Sequence, residues 1–125
     1  RGNIMDKACS IVLADFGFAC ECRLGDRLRR QCGTKMYWSP ELWNRNYALK
    51  VDVWAIGVTL YGLVEGSFPF PTECEVRNRD LVFHRVRSAG FIDLIMKLLD
   101  KDEGQRISAA EALTHSWFAC PQAGA

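Results

Sequence analysis

The longest apolar run of the chain covers residues 51–65 and predicts its central helix. Trp54, Ala55 and Val58 recur at helical spacing on one face, while Ile56 and Leu63 place apolar side chains on the rest of the surface. A helix that is apolar nearly all round is typical of a buried position. We therefore expect the rest of the protein to enclose this helix.

Shorter patterns predict four further helices. Ser39 as N-cap and Pro40 at the first helical position indicate the start of a short helix. Residues 91–99 carry apolar side chains at helical spacing, which predicts an amphipathic helix. A capping box at Ser108 begins another helix. Residues 73–87 are mostly polar with scattered apolar positions and are predicted as a surface helix.

The first part of the chain has the composition of strands. Residues 11–14 form an aliphatic, partly β-branched run that ends at Asp15-Phe16-Gly17, which predicts a buried strand that stops at a glycine turn. Residues 3–5 are a weaker strand candidate just before it. The two together predict a β-hairpin. The expected fold class is therefore mainly α with a short β-hairpin.

Length, composition and charge exclude several classes of protein. The 125 residues allow one domain at most, and 49% hydrophobic with 25% charged residues is typical of a soluble globular chain. The 16 Lys and Arg against 15 Asp and Glu give a net charge of +1, whereas nucleic-acid binders normally carry a strong basic excess. No apolar stretch reaches the ~18 residues of a membrane span. We expect neither a nucleic-acid nor a membrane partner.

The six cysteines are interpreted as reduced thiols. The predicted apolar segments can already supply a core, so a disulfide framework is not needed, which favours an intracellular, cytoplasmic location. A zinc site built from Cys20, Cys22, Cys32 and one more ligand stays open as an alternative, although its spacing differs from the usual Cys-x2-Cys type.

Residues 18–37 show no clean hydrophobic period and are predicted as a long loop. Loops of this length are usually functional or mobile. Four arginines make the loop basic, which indicates either a solvated surface or a docking site for an acidic partner or substrate. They are Arg23, Arg27, Arg29 and Arg30.

Four motifs follow one another in a fixed order. They are Asp15-Phe16-Gly17 and the stretches 32–41, 52–57 and 98–118. The first alone is weak, because Asp-x-Gly turns are common. In this order and spacing the four resemble the C-terminal lobe of the eukaryotic protein kinases, whose signatures include the Asp-Phe-Gly and Ala-Pro-Glu triplets. The triplet at 39–41 reads Ser-Pro-Glu.

The resemblance implies a domain organisation. Residues 1–118 would be part of a bilobal α+β kinase domain, from the end of the catalytic loop onward, with the N-terminal lobe absent. Residues 119–125 would be a tail. Residues 18–38 would be the activation loop.

The resemblance also assigns residues to the nucleotide site. Asp15 and Asn3 match the two ligands of Mg²⁺, which neutralises the charge of the ATP phosphates. Met5 would form the floor of the adenine pocket and Ala14 its back wall. Thr34 matches the threonine that contacts the catalytic aspartate in Ser/Thr kinases.

A second group of matched residues is structural. Phe16 and Gly17 begin the activation segment with Asp15, and Glu41 and Arg106 match a buried ion pair that ties this segment to the lobe. Asp52 matches the aspartate that braces the catalytic loop from the start of the central helix.

The function implied is transfer of the ATP γ-phosphate to Ser or Thr of a protein substrate. The family's glycine-rich loop, strand lysine and His-Arg-Asp triplet do not occur in residues 1–125, so the general base is expected upstream of Arg1. We therefore expect the isolated chain to be inactive and to require an N-terminal lobe in cis.

A pseudokinase or scaffold lobe that binds protein partners without catalysis is the alternative. Residues 18–33 contain no Ser, Thr or Tyr, so phosphorylation cannot occur there, and Lys35 stands where the family usually has Pro. The stretch between Phe70 and Phe91 is also shorter than is usual in the family.

Overall fold

The computed structural model describes residues 10–119, which form short and long helices joined by loops. A 3-10 turn, Lys35–Tyr37, precedes six α-helices. These are α1 (Pro40–Trp43), α2 (Lys50–Glu65), α3 (Glu73–Asn78), α4 (Ala89–Leu98), α5 (Ala109–Leu113) and α6 (Ser116–Ala119). Within residues 10–119 there is no strand, and Leu28 and Tyr47 form an isolated antiparallel bridge.

The predicted β-hairpin is not supported. Residues 11–14 are irregular, and Ile11, Val12 and Leu13 are 79–86% exposed. A strand needs a neighbour to accept its backbone hydrogen bonds and to cover its apolar face, and no described residue pairs with this run. The other half of the hairpin, residues 3–5, lies outside the described residues.

Local sequence signals place three of the helices. Ser39 Oγ accepts the Leu42 amide at 3.4 Å, and Pro40 occupies the first position of α1, as predicted. The capping box of α5 is confirmed: Ser108 Oγ accepts the Glu111 amide at 3.1 Å, and the Glu111 carboxylate accepts the Ser108 amide at 2.8 Å. The amphipathic pattern at 91–99 is confirmed as α4.

The surface helix predicted over 73–87 is shorter in the structure. It forms only as α3, and the following residues reach α4 as a loop. Glu65, at the end of α2, holds this loop by accepting the His84 amide and the Arg87 Nε, both at 2.9 Å. These two donors, His84 first, hold the pKa of the Glu65 carboxyl below its ordinary value. Contacts to Glu65 thus fix a segment that lacks helical hydrogen bonds.

The core lies where α2 packs against α4. Trp54 and Val58 of α2 meet Phe91 and Ile95 of α4, and all four are at most 1% exposed. Trp54 also stacks on Phe70, with ring centroids 5.8 Å apart. Burial of such side chains stabilises the fold by roughly 1.5–3 kcal/mol each.

The opposite face of α2 is not enclosed. Ile56 is 49% exposed and Leu63 is 74% exposed, so the prediction that this helix is buried all round is wrong for that face.

No helix among residues 10–119 is long and apolar enough to cross a bilayer.

At Gly57 the backbone of α2 lies close to the end of α4. A Cβ at this position would lie 2.8 Å from Leu99 Cδ2 and 3.0 Å from Leu98 Cβ. We expect Gly57→Ala to lower the free energy of unfolding by about 1–2 kcal/mol, because overpacking outweighs the ~1 kcal/mol gained in helix propensity. Gly62→Ala, in the same helix, meets nothing closer than Ser67 O at 3.8 Å and should be neutral or stabilising. Urea unfolding of both variants tests this, and equal stabilities would contradict it.

Candidate functional site

The Asp15-Phe16-Gly17 turn presents a carboxylate to solvent. Asp15 has a φ of 62°, a left-handed conformation that is uncommon outside glycine but relatively frequent for Asp. The Ala19 amide donates to Phe16 O at 3.1 Å and closes the turn. Residues 11–20, including Ala14, are all exposed. An exposed carboxylate is a suitable ligand for a hard cation such as Mg²⁺. Asn3 and Met5 lie outside the described residues.

A cavity of about 380 Å³ lies between the long loop and the start of α2. Thr34, just before the 3-10 turn, and Asp52, in the first turn of α2, both line it. The amino-terminal end of a helix stabilises a carboxylate such as that of Asp52. The structure thus brings two of the sequence-predicted residues to one cavity, whereas Ala14 and Asp15 are not among its lining residues.

The rest of the cavity wall is apolar or carries thiols. Cys20, Cys22 and Cys32 line it as free thiols. Among residues 10–119 no group of three or more His, Cys, Asp or Glu side chains could hold a metal ion, so the zinc alternative lacks a ligand set there. Aromatic rings complete the wall, from Phe18, Tyr37, Trp38 and Tyr47.

Glu41 and Arg106 meet in a buried, bidentate ion pair. Arg106 Nη2 donates to Glu41 Oε2 at 3.0 Å, and Nη1 donates to Oε1. Arg106 is 1% exposed and Glu41 is 7% exposed. The remaining guanidinium donors reach Lys50 O at 3.0 Å and Asp100 O at 2.9 Å, and the group lies over the Trp54 ring, 5.1 Å from its centroid. Every charged group of the pair is therefore compensated, as a buried charge requires.

Sequence reasoning missed Lys50, which supports this ion pair. Its Nζ donates to Arg106 O at 2.6 Å and to Glu103 O at 3.2 Å. These bonds fix the loop between α4 and α5 that carries Arg106. No local pattern could have indicated this role, because the acceptors lie 53 and 56 residues away along the chain.

His115 is held in a structural arrangement. Its Nδ1 accepts the Trp117 amide at 3.1 Å, so Nε2 carries the proton and faces Asp93 Oδ2 at 2.7 Å. Lys97 and then His115 hold the pKa of the Asp93 carboxyl below its ordinary value. The pair links α4 to the start of α6.

Comparisons with known proteins match this chain to protein kinases. The model of the protein kinase domain family matches residues 1–118. The serine/threonine-protein kinase PEPKR2 of Arabidopsis thaliana is 33% identical over 129 residues, which cover 92% of this chain and 27% of that protein. The phosphorylase b kinase gamma catalytic chain, liver/testis isoform, of Rattus norvegicus is 34% identical over 132 residues. These cover 92% of this chain and 32% of that protein.

An Aurora kinase of Eremothecium gossypii is 39% identical over 116 residues, which cover 87% of this chain and 32% of that protein. The chain therefore spans about a third or less of the length of these relatives.

Proposed function

Because the chain belongs to the eukaryotic protein kinase family, we propose that residues 1–118 are the C-terminal part of a serine/threonine kinase domain and that 119–125 are a tail. The reaction is transfer of the ATP γ-phosphate to Ser or Thr of a protein substrate. One observation carries the proposal: Thr34 and Asp52, from the activation loop and α2, line the same cavity. In this proposal the catalytic loop occupies that cavity, where both residues can contact it.

The nucleotide site is proposed at the Asp15 turn. Asp15 and Asn3 hold Mg²⁺, and Met5 and Ala14 contact the adenine. The exposed position of Asp15 supports this, because a cation can reach the carboxylate from solvent. Bound Mg²⁺ neutralises the charge on the transferring phosphoryl group.

Three further side chains are proposed to position the reacting groups. Thr34 contacts the catalytic aspartate, and Asp52 braces the loop that carries it. Glu41, through Arg106, fixes the end of the activation segment against the α4–α5 loop. The bidentate geometry of that pair supports the assignment, since it restricts orientation as well as distance.

The partners in this proposal are a protein substrate and an N-terminal lobe in cis, and the location is intracellular, in the cytoplasm. Neither nucleic acid nor membrane is required, in keeping with the near-neutral net charge of +1.

A scaffold without catalysis is the second candidate function. Lys35, which replaces the usual Pro, is exposed, and its Nζ lies over the Trp43 ring, 5.8 Å from the centroid. A partner-binding lobe could use such an exposed basic group beside an aromatic ring. The two functions differ in one respect that can be measured, which is phosphate transfer by a domain that contains these residues.

The test exchanges the matching segment of the liver/testis phosphorylase b kinase gamma chain for residues 1–118. We expect the chimera to transfer phosphate from radiolabelled Mg–ATP to a generic protein substrate. The 125-residue chain alone is expected to transfer none, because it contains no glycine-rich loop and no His-Arg-Asp triplet. Circular dichroism controls for folding of the chimera. A folded chimera without transfer would reject the kinase proposal in favour of the scaffold, and transfer by the isolated chain would reject the predicted inactivity.

A further inference from the structure

The activation loop is attached to the segment between α1 and α2 by backbone and side-chain bonds. Leu28 and Tyr47 exchange two backbone hydrogen bonds, of 2.7 and 3.1 Å. Tyr47 Oη donates to Arg30 O at 2.5 Å, and Gln31 Nε2 donates to Trp43 O at 3.0 Å. Burial raises the pKa of Tyr47, so its hydroxyl remains a proton donor at neutral pH. These contacts hold the middle of the loop in one place.

A charged contact extends this attachment to a distant part of the chain. Arg27 Nη1 and Nη2 donate to the two carboxylate oxygens of Glu103, each at 2.9 Å. Arg27 Nε donates to Asn46 Oδ1 at 2.8 Å, and its Nη2 also reaches Asn46 O. The hydrogen bond to Glu103, first among the causes, raises the pKa of the Arg27 guanidinium. A single arginine thus joins the activation loop to two other loops.

Glu103 is itself held in position. It lies in the α4–α5 loop, and Lys50 Nζ binds both its carbonyl and that of Arg106. Arg106, in the same loop, forms the ion pair with Glu41 at the far end of the activation segment. One loop therefore contacts the segment at two points, on either side of Thr34.

We propose that Glu103 is a positioning residue that orders the activation loop through Arg27, without any phosphate on residues 18–33. Residues 18–33 contain no Ser, Thr or Tyr, so an added anion is not available from phosphorylation there. Glu103 supplies a permanent anion from elsewhere in the fold, with the bidentate geometry that arginine favours. The inference rests on the proposed function only for the role of the loop, since the anchoring itself requires no catalysis.

Four variants of the 125-residue chain test the anchoring. Glu103→Gln removes the anion, and Glu73→Gln is the control. Glu73 also pairs with a similarly exposed arginine, Arg77 on α3, at 2.6 Å, although Glu73 itself is 45% exposed and Glu103 23%. Arg27→Glu alone and Arg27→Glu with Glu103→Arg complete the set. The measurement is amide hydrogen exchange at Leu28 and Tyr47, whose N–H groups form the bridge.

We expect Glu103→Gln and Arg27→Glu to accelerate exchange at these two amides by about two- to fivefold, the range of an exposed ion pair. Glu73→Gln should leave them unchanged. The double charge reversal should exchange more slowly than Arg27→Glu alone but not at the wild-type rate, because the bonds from Arg27 to Asn46 are lost. Unchanged exchange in Glu103→Gln, equal acceleration in Glu73→Gln, or no recovery in the double reversal would each overturn the proposal. Circular dichroism verifies that all variants fold. Because no nucleotide is present, failure of the kinase proposal would not alter this result.

Discussion

Replacement of Glu41 by Gln is expected to lower the free energy of unfolding by about 3–5 kcal/mol. The change keeps the shape of the side chain but removes its charge, and it leaves the guanidinium of Arg106, 1% exposed, without its anion. The bonds of Arg106 to Lys50 O and Asp100 O remain, but neutral carbonyl groups do not compensate a buried positive charge. A loss of this size is a large fraction of the stability of a small domain.

Urea unfolding of the 125-residue chain measures this loss, and Glu73→Gln provides the control. The pair of Glu73 with Arg77 is 2.6 Å long but exposed, so its disruption should cost no more than about 1 kcal/mol. Similar losses in the two variants would show that burial of the Glu41–Arg106 pair has no energetic consequence. The comparison separates the effect of burial from that of losing an ion pair.

The helices could be predicted largely because their signals are local. Ser39 and Ser108 each accept a backbone amide three residues ahead, and this spacing is visible in the sequence. The amphipathic period of α4 likewise depends only on neighbouring residues. A capping box at Thr72 and Glu75 begins α3 in the same way, although the end of that helix was placed nine residues too late.

Predictions that depended on distant partners were less successful. The aliphatic run at 11–14 has strand composition, but pairing decides whether a strand forms, and composition does not reveal pairing. The exposure of α2 at Ile56 and Leu63 could not be predicted either, because an apolar period does not show which neighbours cover each face of a helix. All four arginines of the basic loop are exposed, as on a solvated surface, but the composition of the loop could not show that Arg27 also pairs with Glu103, 76 residues further on.

For the candidate site, long-range relations could be predicted, but only from the family resemblance. The resemblance to kinases named Thr34, Asp52, Glu41 and Arg106, and the structure places the first two on one cavity and joins the other two in an ion pair. Hydrophobic periodicity could not have related Glu41 to Arg106 across 65 residues. A family signature can relate these two residues, because it records which distant positions share a function.

Asp15→Ala is expected to lower the rate of phosphate transfer by the chimera about 100-fold or more. In the proposed mechanism Asp15 contributes negative oxygen ligands to Mg²⁺, and an alanine supplies none. Electrostatic groups that act on charge developing in the transition state typically contribute about 10²–10³ to the rate. Stability should fall by no more than about 1 kcal/mol. Residues 11–20 are exposed and lie outside the core, so the expected cost is that of placing alanine in the left-handed backbone conformation of Asp15.

The control for this variant is Asp80→Ala. Asp80 is also an exposed aspartate, but it lies in the loop between α3 and α4 and does not belong to the proposed nucleotide site. Its removal changes the net charge by the same amount as removal of Asp15. A general effect of charge on substrate binding would therefore affect both variants alike.

The most direct measurement is the initial rate of γ-phosphate transfer by three forms of the chimera: unsubstituted, Asp15→Ala and Asp80→Ala. If residues 1–118 serve phosphoryl transfer, the first and third forms transfer phosphate at similar rates and the second falls to a hundredth or less. Equal rates for Asp15→Ala and the unsubstituted chimera would contradict the assignment of Asp15 to the metal site. Absence of transfer from all three folded forms would contradict the kinase function itself.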